Sequence, residues 1–395
     1  LAVGVIGMLA GVIVAWMGWF GSDDLVVRFG TSYLVSYVVV LSIALGGLFF
    51  TFVQHLTRAG WSVAVRRPAE ALAANLRWMW IFFLPMLGLI LSGRFGELYH
   101  WADLEHMASI NDAMAAEAHL VEGKTGFLNV PFFLIRAAIY FIAWAALAAF
   151  FWRGSIRQDE NGDVRLSERM QRIAAPAALV FGLTITFAAF DWMMSLNPAW
   201  FSTMFGVYFF AAWSTGGFAA LILACLILQR AGRLNGIITA EHYQDLGKFL
   251  FAFGMVFWAY IAFSQYMLIW YANIPEETGW FLARQIGGWK WLSLGLLVGH
   301  FFAPFLLFIS KHPKRSRVFL AFGAFWMLVF AWLDIYWLVI PEFSAGAARF
   351  GLVDVLCFFG LSGLYSVVLA LRLRRHSLIP EGDPRLHESL VFKNA

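Results

Sequence analysis

Two aspartates interrupt apolar stretches of this sequence in the same setting. Asp191 stands seven residues before Pro198, and Asp334 seven residues before Pro341. Arg136, Gln265, His300 and Asp354 also lie inside long apolar runs, with Tyr266 beside Gln265. An ionisable group in hydrocarbon costs about 2.5–3.5 kcal/mol, so each of the charged ones needs a partner, a water-filled cavity or a task. Two kinds of role fit these residue types. A carboxylate with a histidine or tyrosine nearby can accept a hydroxyl proton from a quinol, while another group hydrogen-bonds the opposite oxygen and the electrons leave to a redox centre elsewhere. Alternatively, Asp–Arg and Asp–His pairs lock helices together and do no chemistry. Arg136 and Asp191 lie at similar depth on runs of opposite direction and are expected to pair. Asp334 has the depth of Asp191, with His300 nearer mid-run. Gln54 and His55 close a run at its arginine-flanked end, where they could feed protons inward or simply reach for water.

Metal and haem ligation find little support. Cys225 and Cys357 lie alone in apolar runs and form no C-x-x-C, haem-attachment or zinc spacing. Of the nine histidines only His300 is central in a run, which excludes paired-histidine ligation of transmembrane haem. If quinol is the substrate, the electron acceptor belongs to another subunit. The stretch Asp159-Glu-Asn-Gly-Asp163 has its glycine one place too early for a calcium loop and reads as an Asn-Gly turn.

The elements that hold these residues follow from composition. The chain has 395 residues, 61% hydrophobic and 13% charged, with a mean hydropathy of +0.73. Soluble domains carry about 25% charge, so this is an all-α integral membrane protein. The net charge of +4 sits mainly on one side and reflects orientation, not affinity for nucleic acid. At about 20 residues per crossing, ten spans are expected: 1–19, 33–55, 78–93, 131–152, 173–194, 203–228, 249–271, 291–309, 318–340 and 350–371. Connections after the second, fourth, sixth and eighth spans carry sixteen Lys and Arg, and the opposite connections six. The positive-inside rule therefore puts both termini in the cytoplasm. The chain starts at Leu1 without Met, so residues are expected to be missing there, and the first run is read as a span for want of a cleavage site.

An internal repeat relates spans two to five to spans six to nine. Gly46-Gly47 begins nine residues after Tyr37 and Gly216-Gly217 eight residues after Tyr208, and Glu97-x-x-x-Trp101 answers Glu276-x-x-x-Trp280. Two four-helix bundles, 33–199 and 200–341, are expected between the segment 1–32 and the span and tail 342–395. The glycine pairs read as helix contacts. Repeats with an even number of spans are parallel, which argues against a stand-alone secondary transporter, although Pro85 and Pro304 lie inside spans. The outer loop from Gly93 to Val130 carries six carboxylates and a short amphipathic helix from Trp101 to His119, either a partner-docking surface or a solvated helix.

Three stretches carry a likeness: Asp191-Trp-Met-Met-Ser-Leu-Asn-Pro-Ala-Trp-Phe-Ser-Thr203 with Phe205-Gly-Val-Tyr-Phe209 after it, Ser264-Gln-Tyr-Met-Leu-Ile-Trp-Tyr-Ala-Asn-Ile-Pro-Glu-Glu-Thr278, and Asp334-Ile-Tyr-Trp-Leu-Val-Ile-Pro341. The chain resembles, over nearly its whole length, the ActF-type membrane subunits of bacterial alternative complex III. These belong to quinol:cytochrome c (or high-potential iron–sulfur protein) oxidoreductases and are related to the NrfD and polysulfide-reductase membrane anchors. The resemblance implies a bacterial cytoplasmic membrane and an ActC-like sister subunit. It further implies extracytoplasmic partners with c-type haems and iron–sulfur clusters, small membrane subunits, and menaquinol as electron donor. It places the quinol site best suited to electron transfer in the sister subunit, and gives the ActF-like chain a proton-pathway or structural role. On this sequence it makes Asp191, Asp334 and His300 candidates for proton handling, and Gln265, Tyr266 and Glu276 for the outer mouth. A purely structural scaffold is the competing expectation.

Overall fold

Apolar runs bounded by charge become helices that extend well past the hydrocarbon they could occupy. The computed structural model describes residues 22–344, 346–348 and 350–394; the run 1–19 and Arg349 lie outside the described residues. Nine helices among the described residues are long and apolar enough to cross a membrane: α1 Asp23–Leu56, α2 Val63–Leu91, α3 Val130–Asn161, α4 Val164–Leu196, α5 Phe205–Arg230, α6 Ala240–Ala272, α7 Trp289–Phe308, α8 Arg317–Glu342 and α9 Leu352–Leu373. No strand occurs among the described residues. The chain is an all-α, multi-pass membrane protein.

The helices exceed the apolar runs because polar residues at their ends are satisfied locally. Asn129 accepts a hydrogen bond from the Phe132 N–H to start α3, Gly162 ends it in the left-handed conformation, and Asp163 accepts from the Arg165 N–H to start α4. The turn at Asn161-Gly162 is thus the ordinary turn expected. The predicted outer helix over 101–119 is instead two helices, Leu104–Ile110 and Asp112–Glu122, because Asn111 leaves the helical conformation and caps the second through the Met114 N–H.

Burial ranks the helices. In α1, 89% of the apolar stretch is buried and in α5 67%, against 28–39% in the other seven. Helices apolar on every side belong in the middle, and α1 and α5 are the central pair. Around them α2, α3 and α4 complete one group with α1, and α6, α7 and α8 another with α5; α9 packs on α1. The two centres cross at glycine. A Cβ on Gly46 would stand 2.4 Å from the Gly217 Cα, and one on Gly217 2.5 Å from the Gly46 Cα. One residue on, a Cβ on Gly47 would meet the Ala69 carbonyl oxygen of α2 at 2.5 Å.

At the arginine-rich end, part of what the apolar runs left as connection is helical. Arg66, Arg67 and Glu70, assigned to a connection before 78–93, are helical and buried in α2. Arg66 pairs with Glu70 (3.0 Å) and Asp383 (2.5 Å), and Arg67 with Asp159 (2.7 Å). The tail lies over this end. The Ser389 hydroxyl donates to the Trp61 carbonyl (2.5 Å) and accepts from the Ala64 N–H (3.0 Å), and Asn394 accepts from Lys248 (3.0 Å) on α6.

Gly46→Ala puts a methyl group against backbone that cannot rotate away, an overpacking cost of about 1–3 kcal/mol. The melting temperature of the purified protein is expected to fall by several degrees, while Gly182→Ala, with nothing within 4 Å of the added carbon, leaves it unchanged. Equal melting of the two variants would contradict the crossing.

Candidate functional site

The two helix groups treat their buried aspartate differently. In the first, α3 and α4 bring Arg136 against Asp191, as their depth predicted. The Arg136 Nε lies 2.8 Å from one carboxylate oxygen and its Nη2 2.7 Å from the other. Tyr140 donates to Asp191 at 2.6 Å, and Nη1 of Arg136 donates to the Phe127 carbonyl at 2.9 Å. The guanidinium lies 3.8 and 4.3 Å from the ring centres of Phe127 and Phe132. Every side of this pair is occupied, and it is surrounded by the packed rings of Phe83, Phe141, Trp144 and Trp192. The pair ties α3 to α4, and the 310 Å³ cavity beside it is lined by Phe127, Phe190 and Ser195, with neither Arg136 nor Asp191 in its wall.

In the second group Asp334 has no cationic partner among the described residues. Tyr208 of α5 donates to one oxygen at 2.7 Å and the Trp258 Nε1 of α6 to the other at 2.9 Å. His300 of α7 is not bonded to Asp334. The Trp258 indole lies between them, stacked on the imidazole at 3.9 Å with a 2° interplanar angle. The far side of His300 explains its position: its Nε2 is 3.1 Å from the Gly254 carbonyl and 3.3 Å from the Thr215 hydroxyl, which also donates to Gly254. Gly254 lies in a π-helical stretch of α6, Leu250–Phe257, and His300 in another of α7, Leu297–Phe302. Widened turns disrupt the regular carbonyl ladder, and here side chains take up the slack. Pro304 follows the second stretch.

On the side of Tyr208 and Trp258 away from Asp334 lies a cavity of about 680 Å³ between α6, α7 and the helix Pro275–Ala283. Exposed Phe263, Leu294, Leu297 and Phe302 edge its mouth, so it opens sideways between α6 and α7. The interior is aromatic and has few polar groups. Gln265 is the most telling: it is 3% exposed, and neither its amide oxygen nor its amide nitrogen has a hydrogen-bond partner among the described residues. Buried amides are nearly always satisfied, so an orphan facing a cavity asks for a ligand or water. Ser293 accepts from the Trp337 indole (2.8 Å) and donates to the Arg284 carbonyl (2.7 Å). Arg284 lies 3.4 Å over the Trp280 ring and pairs with Glu342 at 2.8 Å. Burial draws its guanidinium below the ordinary arginine value, and Glu342 opposes that shift. It remains charged, because arginine starts so high.

Of the residues singled out by sequence, Gln265 and Tyr266 line the cavity and Asp334 stands behind its wall. The others do not join them. Glu276 is exposed at the start of its short helix, turned to solvent by the register that buries Trp280. Asp354 binds Arg28, accepts from Ser32 (2.7 Å) and caps α9 through the Gly351 N–H (2.8 Å), a link between α1 and α9. Gln54 and His55 are buried, not at an aqueous surface; His55 stacks on Phe151, and the two line a 190 Å³ cavity with Arg66 and Asp383. Sequence reasoning missed Tyr208, Trp258 and Arg284 as site residues, although the tyrosine preceding the glycine pair was a signal for the first. No protein family matches the chain, and no curated protein matches it.

Arg136→Met leaves Asp191 buried without its cation and is expected to cost about 3–5 kcal/mol of stability. Adding Asp191→Asn should recover most of that loss, read as a double-mutant cycle in chemical or thermal unfolding. Additive losses would show that the pair is not the lock described.

Proposed function

We propose that this chain is a membrane subunit of a quinol-oxidising electron-transfer complex of the alternative complex III type, and that its second helix group holds the quinol headgroup. The observation that carries the reading is the unpaired Gln265 amide inside an aromatic, sideways-open cavity backed by the Tyr208–Asp334 hydrogen bond. A cavity of about 680 Å³ lies within the range of about 300–1,000 Å³ typical of small-molecule sites. A lateral mouth suits a ligand that arrives dissolved in lipid. A primary amide both donates and accepts, so Gln265 can hold the hydroxyl of a quinol and the carbonyl of a quinone alike.

Oxidation of one quinol gives one quinone, two protons and two electrons. The electrons go singly to haem c or iron–sulfur centres of partner subunits on the side opposite the arginine-rich end, with menaquinol the donor implied by the resemblance. A proton reaching the Tyr208 oxygen releases that group's own hydrogen to Asp334, 2.7 Å away, which makes Tyr208 a relay and Asp334 an acceptor. In this reading the two helix groups are the halves of the parallel repeat, 1–19 supplies a tenth span, an ActC-like sister subunit lies alongside, and the arginine-rich end faces the cytoplasm of a bacterial cell. In the same reading the first half is scaffolding, which the satisfied Arg136–Asp191 pair supports.

Gln265→Leu should raise the KM for quinol about tenfold or more, and Asp334→Asn should lower kcat with assembly intact, both measured as quinol-dependent reduction of the acceptor by the purified complex. Fully assembled variants with unchanged kinetics would leave the scaffold role for both halves.

A further inference from the structure

Away from that cavity, at the arginine-rich end, a second groove lies between α3 and α4. It has a volume of about 390 Å³, and Arg153, Arg157 and Arg169 stand around it with Ala146, Ala149, Phe150, Gly154 and Met170. The spacing explains the grouping. Arg153 and Arg157 are one turn apart on α3, while Ala149 and Ala146 continue the same stripe one and two turns deeper. Arg169 faces them from α4, its guanidinium 5.6 Å from the Phe150 ring centre. All three arginines are exposed. None of them makes an ion pair or hydrogen bond with a described residue through its side chain. This contrasts with Arg66 and Arg67 at the same end, each held by carboxylates.

We infer that this groove binds the phosphodiester headgroup of an anionic phospholipid, with an acyl chain lying over Ala146 and Ala149. Three cations converging without a carboxylate form a site for negative charge, and guanidinium forks match phosphate oxygens. The depth selects a lipid over a soluble anion. The apolar stretch of α3 ends at Trp152, so Arg153 stands at the hydrocarbon edge. The small residues beneath it run straight into an exposed apolar surface, Ile142 at 69% and Leu179 at 71% exposure. Gly154 keeps the floor low, since a Cβ there would already touch the Met170 sulfur at 3.0 Å. Basic pockets between helices on the cytoplasmic side are a known form of lipid headgroup site.

Native mass spectrometry of the detergent-extracted protein, titrated with phosphatidylglycerol or phosphatidylcholine of identical chains, tests this. Phosphatidylglycerol should be retained at least tenfold better, and R153Q/R157Q/R169Q should bring its retention down to that of phosphatidylcholine. R230Q/R233Q, which removes two exposed arginines at the same end but outside the groove, should not. Ala146→Trp leaves every arginine in place and fills the exposed acyl slot; it should lower retention as well, which covers the case of a triple variant that folds poorly. Equal retention of both lipids, undiminished phosphatidylglycerol in the triple variant, or its full displacement by millimolar inorganic phosphate would overturn the inference.

Discussion

The crossing of Gly46 over Gly217 sets the distance between α1 and α5, and the other helices take their positions from those two. With no side chain at either residue, the backbones meet at a separation that even alanine would enlarge. Gly47 repeats the device toward α2, so two consecutive glycines fix two neighbours of α1 at once. Helices in lipid gain little from hiding apolar surface from one another, and close backbone approach with dense van der Waals contact takes its place. That is why the two most buried helices carry the glycine pairs and the peripheral ones present Leu, Ile and Phe outward.

On this frame the two helix groups spend their buried polar residues in opposite ways. Both oxygens of Asp191 accept from Arg136, one of them also from Tyr140, and the Phe127 carbonyl takes a further N–H of Arg136. Around Asp334 the donors are neutral, Tyr208 and Trp258, and the space beyond them is open. Arg284, which lines the cavity as Lys290 also does, is committed to Glu342 and to backbone carbonyls of Trp280, Trp337 and Leu338, and no described cation pairs with the aspartate. The π-helical stretches around Gly254 and His300 belong to this same group, where irregular helix is commonly associated with function.

What the sequence disclosed was what depends on composition and short spacing. Apolar runs located the nine described membrane helices, matched depth paired Arg136 with Asp191, and the glycine pairs read as contacts before their partner was known. What it concealed depends on rotation and on distant partners. Trp258 comes between Asp334 and His300 because a π-helical stretch changes the phase of α6 just before it, and no 3.6-residue period contains that information. Arg66 and Arg67 looked like loop charges because the carboxylates that hold them, Asp159 and Asp383, are far along the chain. Arg284 was one of the six cations counted in the opposite connections, and its partner Glu342 lies 58 residues away. The resemblance gave Glu276 to the outer mouth, but Trp280, four residues on, lines the cavity in its place.

The central claim is that the cavity behind Gln265 is where a quinone ring resides. Photolabelling of the intact complex with an azido-quinone, followed by peptide mapping, tests it most directly. The account predicts adducts on the α6 and α7 peptides that carry Tyr266 and Leu297, displaced by excess unlabelled quinol. Efficient, displaceable labelling confined to other subunits or to the first helix group would contradict it.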